Sequence, residues 1–351
     1  MPEINFTGGL DPSMDLMVPD YPKDDPHYRE SVSIWFFDDA NNIQFPRFLI
    51  EDIPGQPEQR LSFYNIAFPD GRALVSYGPQ PALSMLDERG RPTVYGAGPL
   101  AFRCLEPFRT WTATFRGQLT ETRAETLIHG APEGPRREVT VEIETRSAAP
   151  PWISGTMSAQ ARELFGRDSL EHSFVGKGFR YEQTVLVTGR CSIEGERYEF
   201  SGRGLRVHRR SSRNPAGKFR GHVWQTTVFP SGRAFGYTAF PPAGPGDRPF
   251  VEGFFFDGET MWPADFPRIP WMTHAAPGPQ DVSLTLATER QEIRIAAEVL
   301  ATNFSTQRMA ASSDGVPLLQ QQGCALYHLG DEQAVGMIER SNFRDQLTFG
   351  A

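Results

Sequence analysis

The sequence lacks the features that mark several large classes of protein. Its three cysteines (Cys104, Cys191 and Cys324) have neither zinc-ligand spacing nor the even number of a disulfide framework, so we interpret them as buried small hydrophobic residues. No apolar run approaches the roughly 18 residues of a membrane span, and no N-terminal signal segment is recognisable. We therefore expect a cytoplasmic protein without membrane insertion.

The sequence also has no excess of basic residues and none of the familiar catalytic signatures. The net charge of −8 argues against nucleic acid as a partner, because phosphate binding needs a basic surface. The nucleophile elbow, the zinc-protease motif and the Walker loop are missing. Gly96 to Ala101 loosely matches a dinucleotide fingerprint, but Pro99 and the lack of a following helix argue against it. The histidines have no metal spacing, so we predict neither a metal nor another cofactor.

The residues that are present favour β-structure. Phenylalanine (26), glycine (33) and proline (30) are abundant, which is typical of short strands separated by turns. Apolar residues alternate with polar ones in several segments, so each segment has one apolar face. These segments are Trp111 to Phe115, Val139 to Ile143, Val282 to Leu286 and Ile293 to Ala297. Turn dipeptides recur along the chain, at Asp70-Gly71, Glu194-Gly195, Asp257-Gly258 and Asp314-Gly315. This pattern predicts successive antiparallel hairpins.

The 351 residues suffice for two domains, which we place at residues 1–170 and 171–351. The connection is expected within Ala148 to Gly166, where the single predicted helix, Ser158 to Phe165, also lies. The first thirty residues have no periodicity and are expected to wrap the surface. Phe68 to Leu74 (FPDGRAL) recurs as Phe229 to Phe235 (FPSGRAF), which suggests two copies of one β-architecture.

Several short motifs, taken in order, give the chain a family resemblance. The N-terminal half, with Glu30 to Phe37 and Trp111 to Gly117, resembles the first domain of the carotenoid 1,2-hydratase and AttH-like group. The second half is similar to that group's C-terminal domain in a further set of residues. These are Tyr181-Glu182-Gln183, Gly189, Gly202-Arg-Gly204, Arg206, His208 and Gly336 to Ser341.

The resemblance implies two tandem lipocalin-like antiparallel β-barrels or sandwiches with a pocket for an apolar ligand at or near their contact. The group includes hydratases of isoprenoid double bonds and is similar in architecture to fungal pericyclases. One departure matters. Where many relatives have Arg-Asp-His-Ser-Trp-Gly, this chain has Arg206-Val-His-Arg-Arg-Ser211, so the Asp and the Trp are missing and simple carotenoid hydration becomes doubtful.

The leading hypothesis is a cofactor-independent enzyme of the hydratase, dehydratase, isomerase or cyclase type. Its substrate would be a hydrophobic terpenoid, polyketide or aromatic molecule of secondary metabolism. His208 and Glu339 are the predicted proton-transfer groups, and Arg206 would orient one of them or bind a substrate oxygen. Six further residues are predicted to bind substrate, because they are polar or aromatic in apolar surroundings. These are Tyr181, Glu182, His222, Trp224, Tyr237 and Asp257.

Two other classes of function stay open. A carrier protein of lipocalin type would bind the hydrophobic ligand without chemistry. The segment Gly202 to Arg220 holds seven basic residues and no acidic one, which fits a solvated loop, a site for a substrate carboxylate or phosphate, or an interaction surface. A homodimer is also compatible with the sequence.

Overall fold

The computed structural model describes residues 4–19, 25, 27–158, 177–212, 219–242, 244, 246–307 and 315–350. These residues form two large antiparallel sheets and one two-stranded pairing. The prediction of an all-β chain with two tandem lipocalin-like units is confirmed.

The first sheet has eleven strands, and eight of them close into a barrel. The strands are β1 (Tyr28–Asp38), β2 (Gln44–Asp52), β3 (Gln59–Ala67), β4 (Arg72–Pro81), β5 (Val94–Ala97), β6 (Leu100–Glu106), β7 (Thr110–Arg123), β8 (Arg136–Ser147), β9 (Trp152–Ile153), β10 (Lys177–Ile193) and β11 (Glu196–Ser212). The sheet runs β4-β3-β2-β1-β11-β10-β8-β7, and β4 pairs with β7 to close the ring. Closure satisfies the backbone groups that an edge would leave unpaired.

The second sheet has nine strands, in the order β15-β14-β13-β12-β21-β20-β19-β18-β16. They are β12 (His222–Val228), β13 (Ala234–Phe240), β14 (Phe250–Phe256), β15 (Met261–Pro263), β16 (Asp265–Arg268), β18 (Leu284–Ala287), β19 (Glu292–Gln307), β20 (Leu318–Leu329) and β21 (Glu332–Phe343). The short strands β17 (His274–Ala275) and β22 (Thr348–Phe349) pair in parallel.

Both sheets follow the same path. Four strands form a meander, β1 to β4 and β12 to β15, and the last long strand of each unit, β11 or β21, returns to pair with the first. The two heptads make the same turn, since Phe68 N donates to Arg72 O (2.9 Å) and Phe229 N donates to Arg233 O (2.7 Å). They join β3 to β4 and β12 to β13, however, which are different places in the meander. The heptads therefore reflect shared turn chemistry, although the architecture itself is repeated.

The sheets divide the chain between Ser212 and His222. Strands β10 and β11 follow residue 170 in sequence but pair with β8 and β1 of the first sheet. The expected domain boundary at residue 170 stays a prediction, whereas hydrogen bonding assigns residues up to Ser212 to the first sheet.

Two expectations about local structure were wrong or incomplete. The first thirty residues do not only wrap the surface, because a 3₁₀ turn, Pro12–Asp15, brings the Asp15 side chain to full burial. A short helix, α1 (Ala124–His129), follows β7 and packs Leu127 and Ile128 into a core cluster shared with the second sheet. The predicted helix from Ser158 to Phe165 lies outside the described residues except for Ser158.

The alternation expected for β7 and β8 is confirmed. Trp111, Ala113 and Phe115 are buried on one face of β7, as are Val141 and Ile143 on β8. Both strands therefore contribute one apolar face to the barrel core.

Gly204 on β11 allows a close approach of β11 to β1. A Cβ atom added there would lie 2.2 Å from the carbonyl oxygen of Trp35. We expect Gly204→Ala to lower the free energy of unfolding by about 1–3 kcal/mol, because backbone atoms must shift to relieve the overlap. Gly130→Ala is the matched control, since Gly130 has an extended φ of −170° and open space around its Cα. Urea denaturation that shows equal, near-zero effects for both variants would contradict this packing constraint.

Candidate functional site

Strands β10 and β11 place polar side chains on both of their faces. Alternation directs Arg206 and His208 toward the barrel interior, while the neighbouring Leu205 and Val207 pack in a cluster with Trp35 and residues of the second sheet. The sequence-predicted residues are consequently split between two buried networks.

The barrel network is centred on Asp15. Its carboxylate is 2.7 Å from Arg206 Nη1, accepts the indole N–H of Trp111 at 2.9 Å and is hydrogen-bonded to the Tyr181 hydroxyl. Arg206 also donates to Gln183 Oε1 at 2.9 Å. Burial alone would raise the pKa of Asp15, but Arg206 and His208 outweigh it and lower that pKa below its ordinary value. Asp15 is therefore the counter-ion of a fully buried arginine.

His208 lies deep in the same network. Its Nε2 is 2.7 Å from Glu30 Oε1, and its Nδ1 is 3.7 Å from Asp15 Oδ1. The side chain is fully buried, and Glu30 is also 3.4 Å from Arg210 Nε. Because two carboxylates flank the ring inside a filled barrel, the geometry favours a structural role for His208 over proton exchange with a substrate.

The second network lies where the two sheets meet, and Glu339 on β21 is its anion. Oε1 is 3.0 Å from His222 Nε2 and accepts from Gln320 Nε2 at 2.6 Å. Oε2 accepts from Gln322 Nε2 at 2.7 Å and from the Trp35 indole at 3.3 Å.

The surroundings of Glu339 decide its charge. Burial opposes ionisation, but Arg47, whose Nη1 is 3.8 Å away, and His222 lower the pKa of Glu339 to about 2. Glu339 is therefore an ionised acceptor rather than a proton donor.

Glu182 on β10 is the second carboxylate at this contact, and its electrostatics are opposite. Oε2 accepts the indole N–H of Trp224 at 2.9 Å, and Oε1 is 2.5 Å from Arg180 Nη2. Burial raises the pKa of Glu182 to about 7, because Arg180 and the indole bond offset the desolvation only in part. Two carboxyl groups of one contact region are thus separated in pKa, as in sites that combine an acid with a base.

Two tryptophans connect these carboxyl groups across the sheet boundary. Trp35 of the first sheet donates to Glu339 of the second, and Trp224 of the second donates to Glu182 of the first. The two rings meet edge to face with centroids 4.9 Å apart. We call Trp35, Trp224, Glu182 and Glu339 the crossed pairs.

Guanidinium groups already cover the tryptophan rings. Arg47 Cζ lies 5.1 Å from the Trp35 ring centroid, and Arg180 Cζ lies 4.9 Å from that of Trp224. Arg47 keeps 23% of its side chain exposed, whereas the carboxylates are nearly inaccessible. The contact therefore brings together two cations, an ionised carboxylate and a carboxyl group with a pKa of about 7.

Two predicted substrate-binding residues lie elsewhere. Tyr237 is buried in the core of the second sheet, where its hydroxyl donates to Gln225 at 2.5 Å and its ring stacks on Phe266. Asp257 is exposed in the turn after β14, where it accepts from Thr260 N (2.8 Å) and from the Trp262 indole (2.7 Å). Asp257 caps a turn, so the expectation of an apolar environment was wrong there.

From Gly202 to Ser212 the basic segment is part of β11 and is not a solvated loop. Arg203, Arg206 and Arg210 have the carboxylate partners Asp39, Asp15 and Glu30. Arg209, on the opposite face from Arg206 and Arg210, lowers the pKa of Glu182. Acids distant in sequence therefore pair with three of the seven basic residues. Arg220 lies outside the strands, and Arg213 and Lys218 lie outside the described residues.

A separate groove of about 570 Å³ lies on the outer surface of the barrel. Hydroxyl groups and the surface ion pair between Arg190 and Glu142 line much of it. The parts of the chain that the structure describes hold no cluster of three potential metal ligands, and no helix among them is long and apolar enough to cross a membrane.

Sequence reasoning missed several residues of both networks. Asp15 sits in an aperiodic segment and gave no signal, whereas the run Gln320-Gln321-Gln322 inside an apolar strand was visible. Amides in a buried strand need partners, so that run indicated a polar core. Trp35, Arg47 and Arg180 could not be identified from sequence, because their partners come together only where the two sheets meet.

Comparison with known proteins decides the family. The sequence profile of a domain of unknown function (DUF7064) matches residues 17–344. The chain belongs to the DUF7064 family. No curated protein sequence matches it.

Solved structures share the fold at low identity. A Nitrosomonas europaea protein provisionally named AttH is 14% identical, with a TM-score of 0.56 over 93% of this DUF7064 chain and 98% of its own. CghA in complex with Sch210972 is 9% identical, with a TM-score of 0.56 over 93% of both chains. Kievitone hydratase from Nectria haematococca is 11% identical, covers 90% of this chain and 89% of its own, and has a TM-score of 0.45. The first two comparisons confirm the resemblance in fold that the motifs indicated.

The segment Arg206 to Ser211 lies beside the crossed pairs. Val207 on β11 has Glu182 on β10 as its cross-strand partner. Both side chains lie on the face of the first sheet that meets the second. In this DUF7064 protein, a carboxyl group therefore lies beside an apolar residue of that segment.

The Asp15 network gives a stability prediction. Asp15→Asn should lower the free energy of unfolding by about 3–5 kcal/mol, because it leaves Arg206 buried without a counter-ion. The double variant Asp15→Asn/Arg206→Met, which removes the charge of both partners and keeps an amide acceptor for the Trp111 indole, should recover part of that loss. Asp257→Asn, in the exposed turn, is the control for loss of a carboxylate. Urea denaturation showing that Asp15→Asn costs less than about 1 kcal/mol would contradict the assignment.

Glu339 gives a prediction with a defined pH dependence. Because the pKa of Glu339 is lowered from 4.5 to about 2, the carboxylate stabilises the folded protein fully above pH 4.5, and this contribution is lost as the pH falls toward 2. Glu339→Gln should therefore destabilise the protein by about 3 kcal/mol at neutral pH, and the gap to wild type should narrow in acid. Glu332→Gln removes a surface partner of Arg233 and should cost less than about 1 kcal/mol. A gap for Glu339→Gln that does not change with pH would be inconsistent with this carboxylate being ionised.

Proposed function

We propose that this protein is an enzyme of the lyase or isomerase type, which acts at the crossed pairs on a hydrophobic small molecule. The observation that carries the proposal is that two buried carboxyl groups flank one tryptophan pair in different surroundings, which raise the pKa of Glu182 to about 7 and lower that of Glu339 to about 2. General acid–base catalysis needs one group that is protonated and one that is deprotonated at the same pH, and a carboxyl group with a pKa near neutral suits the donor.

Glu182 has the role of the acid. In its neutral form it gives a proton to an unsaturated carbon or to a departing oxygen of the substrate. The ionised Glu339 holds the imidazole of His222, and His222 accepts a proton from the substrate or from an attacking water. Regeneration moves one proton back to Glu182, so hydration, dehydration, isomerisation and cyclisation all balance without a net change of charge.

The two arginines narrow the substrate class. Because Arg47 and Arg180 cover the indole faces, a substrate cation would have to displace a guanidinium to reach them. A carbonyl or hydroxyl oxygen, by contrast, would gain a charged hydrogen-bond donor. We therefore propose an apolar substrate that carries at least one oxygen, rather than a plain hydrocarbon.

The roles assigned to His208 and Arg206 change in this proposal. Both are held by carboxylates inside the barrel, so we propose that they position β11 rather than contact the substrate. Among the similar structures, the names kievitone hydratase and CghA with Sch210972 are compatible with small-molecule chemistry on this fold. Fold alone does not select a reaction.

A carrier function is the alternative, and the completeness of the ion pairs favours it. Glu182 faces Arg180, and Glu339 has a donor for each oxygen, as expected for a purely structural contact. A carrier would bind the same hydrophobic molecule and release it unchanged.

Deuterium incorporation distinguishes the two functions. The molecule that co-purifies with the protein is identified by native mass spectrometry and solvent extraction, then incubated with the protein in D₂O. We expect wild type to introduce deuterium at carbon or convert the molecule, and Glu182→Gln to reduce that rate by about 10²-fold or more. Asp257→Asn, which removes an exposed carboxylate, should retain the wild-type rate. An unlabelled, unchanged molecule with wild type, or full activity in Glu182→Gln, would overturn the enzymatic proposal.

A further inference from the structure

Arg340 lies next to Glu339 on β21 but on the opposite face. Its cross-strand partners are Val223, which belongs to the core of the second sheet, and Gln321 on β20. Only 4% of the residue is exposed. The guanidinium therefore lies inside the second unit, away from the crossed pairs.

The partners of Arg340 are all neutral. Nε and Nη2 donate to Gln321 Oε1 at 2.9 and 2.6 Å, and Nη2 also donates to Gln280 Oε1 at 2.5 Å. Nη1 reaches only the Pro270 carbonyl, at 3.4 Å. Throughout the described ranges of the chain, no carboxylate forms an ion pair with this guanidinium.

Four other buried arginines have the usual arrangement. Arg29, Arg60, Arg180 and Arg206 each have a carboxylate within 3.2 Å. Burial lowers the pKa of Arg340 to about 10, so it still has a full charge at neutral pH. A buried charge without a counter-ion is costly, and its presence needs a compensating partner.

Gln321 provides a second, independent sign of a missing partner. It is fully buried, and its Nε2 has no hydrogen-bond partner among the residues that the structure describes. Its Oε1 is held by Arg340, which fixes the orientation of the amide. An orphaned N–H donor therefore lies beside a poorly used guanidinium donor, and both require an acceptor.

The charge and surroundings define what would fit. One guanidinium and neutral amides match a monoanion, and the planar fork of arginine suits a carboxylate. Gln280 is partly exposed, and Ile269 and Trp271, which flank Pro270, are partly buried apolar residues packed on the second core. An acid entering from this side would have apolar contacts for its body.

We propose that Arg340 and Gln321 form a binding site for the carboxylate of an organic acid with an apolar body. The site is separate from the crossed pairs and occupies the opposite face of β21. It accounts for a buried charge that the fold leaves uncompensated.

Decanoate is the probe, and decan-1-ol is its uncharged counterpart. Isothermal titration calorimetry should show decanoate binding to wild type at least about tenfold more tightly than decan-1-ol. Arg340→Met should weaken decanoate binding by at least about tenfold, whereas Arg233→Met, which removes a surface arginine paired with Glu332, should leave it unchanged. An equal loss of binding in both variants, or equal binding of acid and alcohol to wild type, would overturn the proposal.

A second measurement covers the case in which Arg340→Met does not fold. The carboxyl resonance of decanoate labelled with ¹³C at C1 reports its protonation when bound to the wild-type protein. Contact with the guanidinium should lower the pKa of the bound acid below that of free decanoate. A bound acid whose pKa is unchanged or raised would contradict a site at Arg340.

Discussion

The burial on both faces of residues 180–185 of β10, 204–209 of β11 and 334–341 of β21 is the constraint on which the rest of the structure depends. Neighbouring residues of a strand point to opposite sides, so a polar residue within these stretches is buried on one face or the other. Each must find a partner there. Tyr181 and Glu182, or Glu339 and Arg340, are adjacent in sequence yet belong to different networks.

The same constraint explains how the two units hold together. The crossed pairs exchange an indole donor for a carboxylate acceptor in each direction, so neither sheet completes its hydrogen bonds alone. Apolar residues such as Phe37 and Met337 pack around them. Electrostatic interactions are stronger in a buried contact than in water. Modest differences in the charged groups around Glu182 and Glu339 can therefore give the two carboxyl groups very different pKa values.

Sequence reasoning recovered the fold because the relevant signals are local. Alternation at Trp111 to Phe115 and the turn chemistry at Asp70-Gly71 depend on neighbouring residues, and both appear in the structure. The division of the site residues between two networks, by contrast, depends on contacts between residues far apart in sequence. Asp15 pairs with a residue 191 positions away, and Trp35 with one 304 positions away. Such pairings arise only when the barrel closes and the sheets meet.

Sequence reasoning therefore identified individual candidate residues, but it did not show which of them lie together. Glu182, Glu339, His222 and Trp224 were all identified from sequence, and the structure brings them to one contact. Asp257 also has aromatic residues near it in sequence, but it lies in an exposed turn, where the Trp262 indole donates to it. Aromatic residues nearby in sequence therefore do not show that a carboxyl group is buried.

The most direct test of this account is a pH titration of the glutamate carboxyl groups by ¹³C nuclear magnetic resonance, with Glu182 and Glu339 assigned by single replacements. The account predicts that Glu182 titrates near 7, while Glu339 stays ionised until the pH approaches 2. Titration of both groups together near their ordinary value of 4.5 would show that the contact does not separate an acid from a base, and would contradict the central claim.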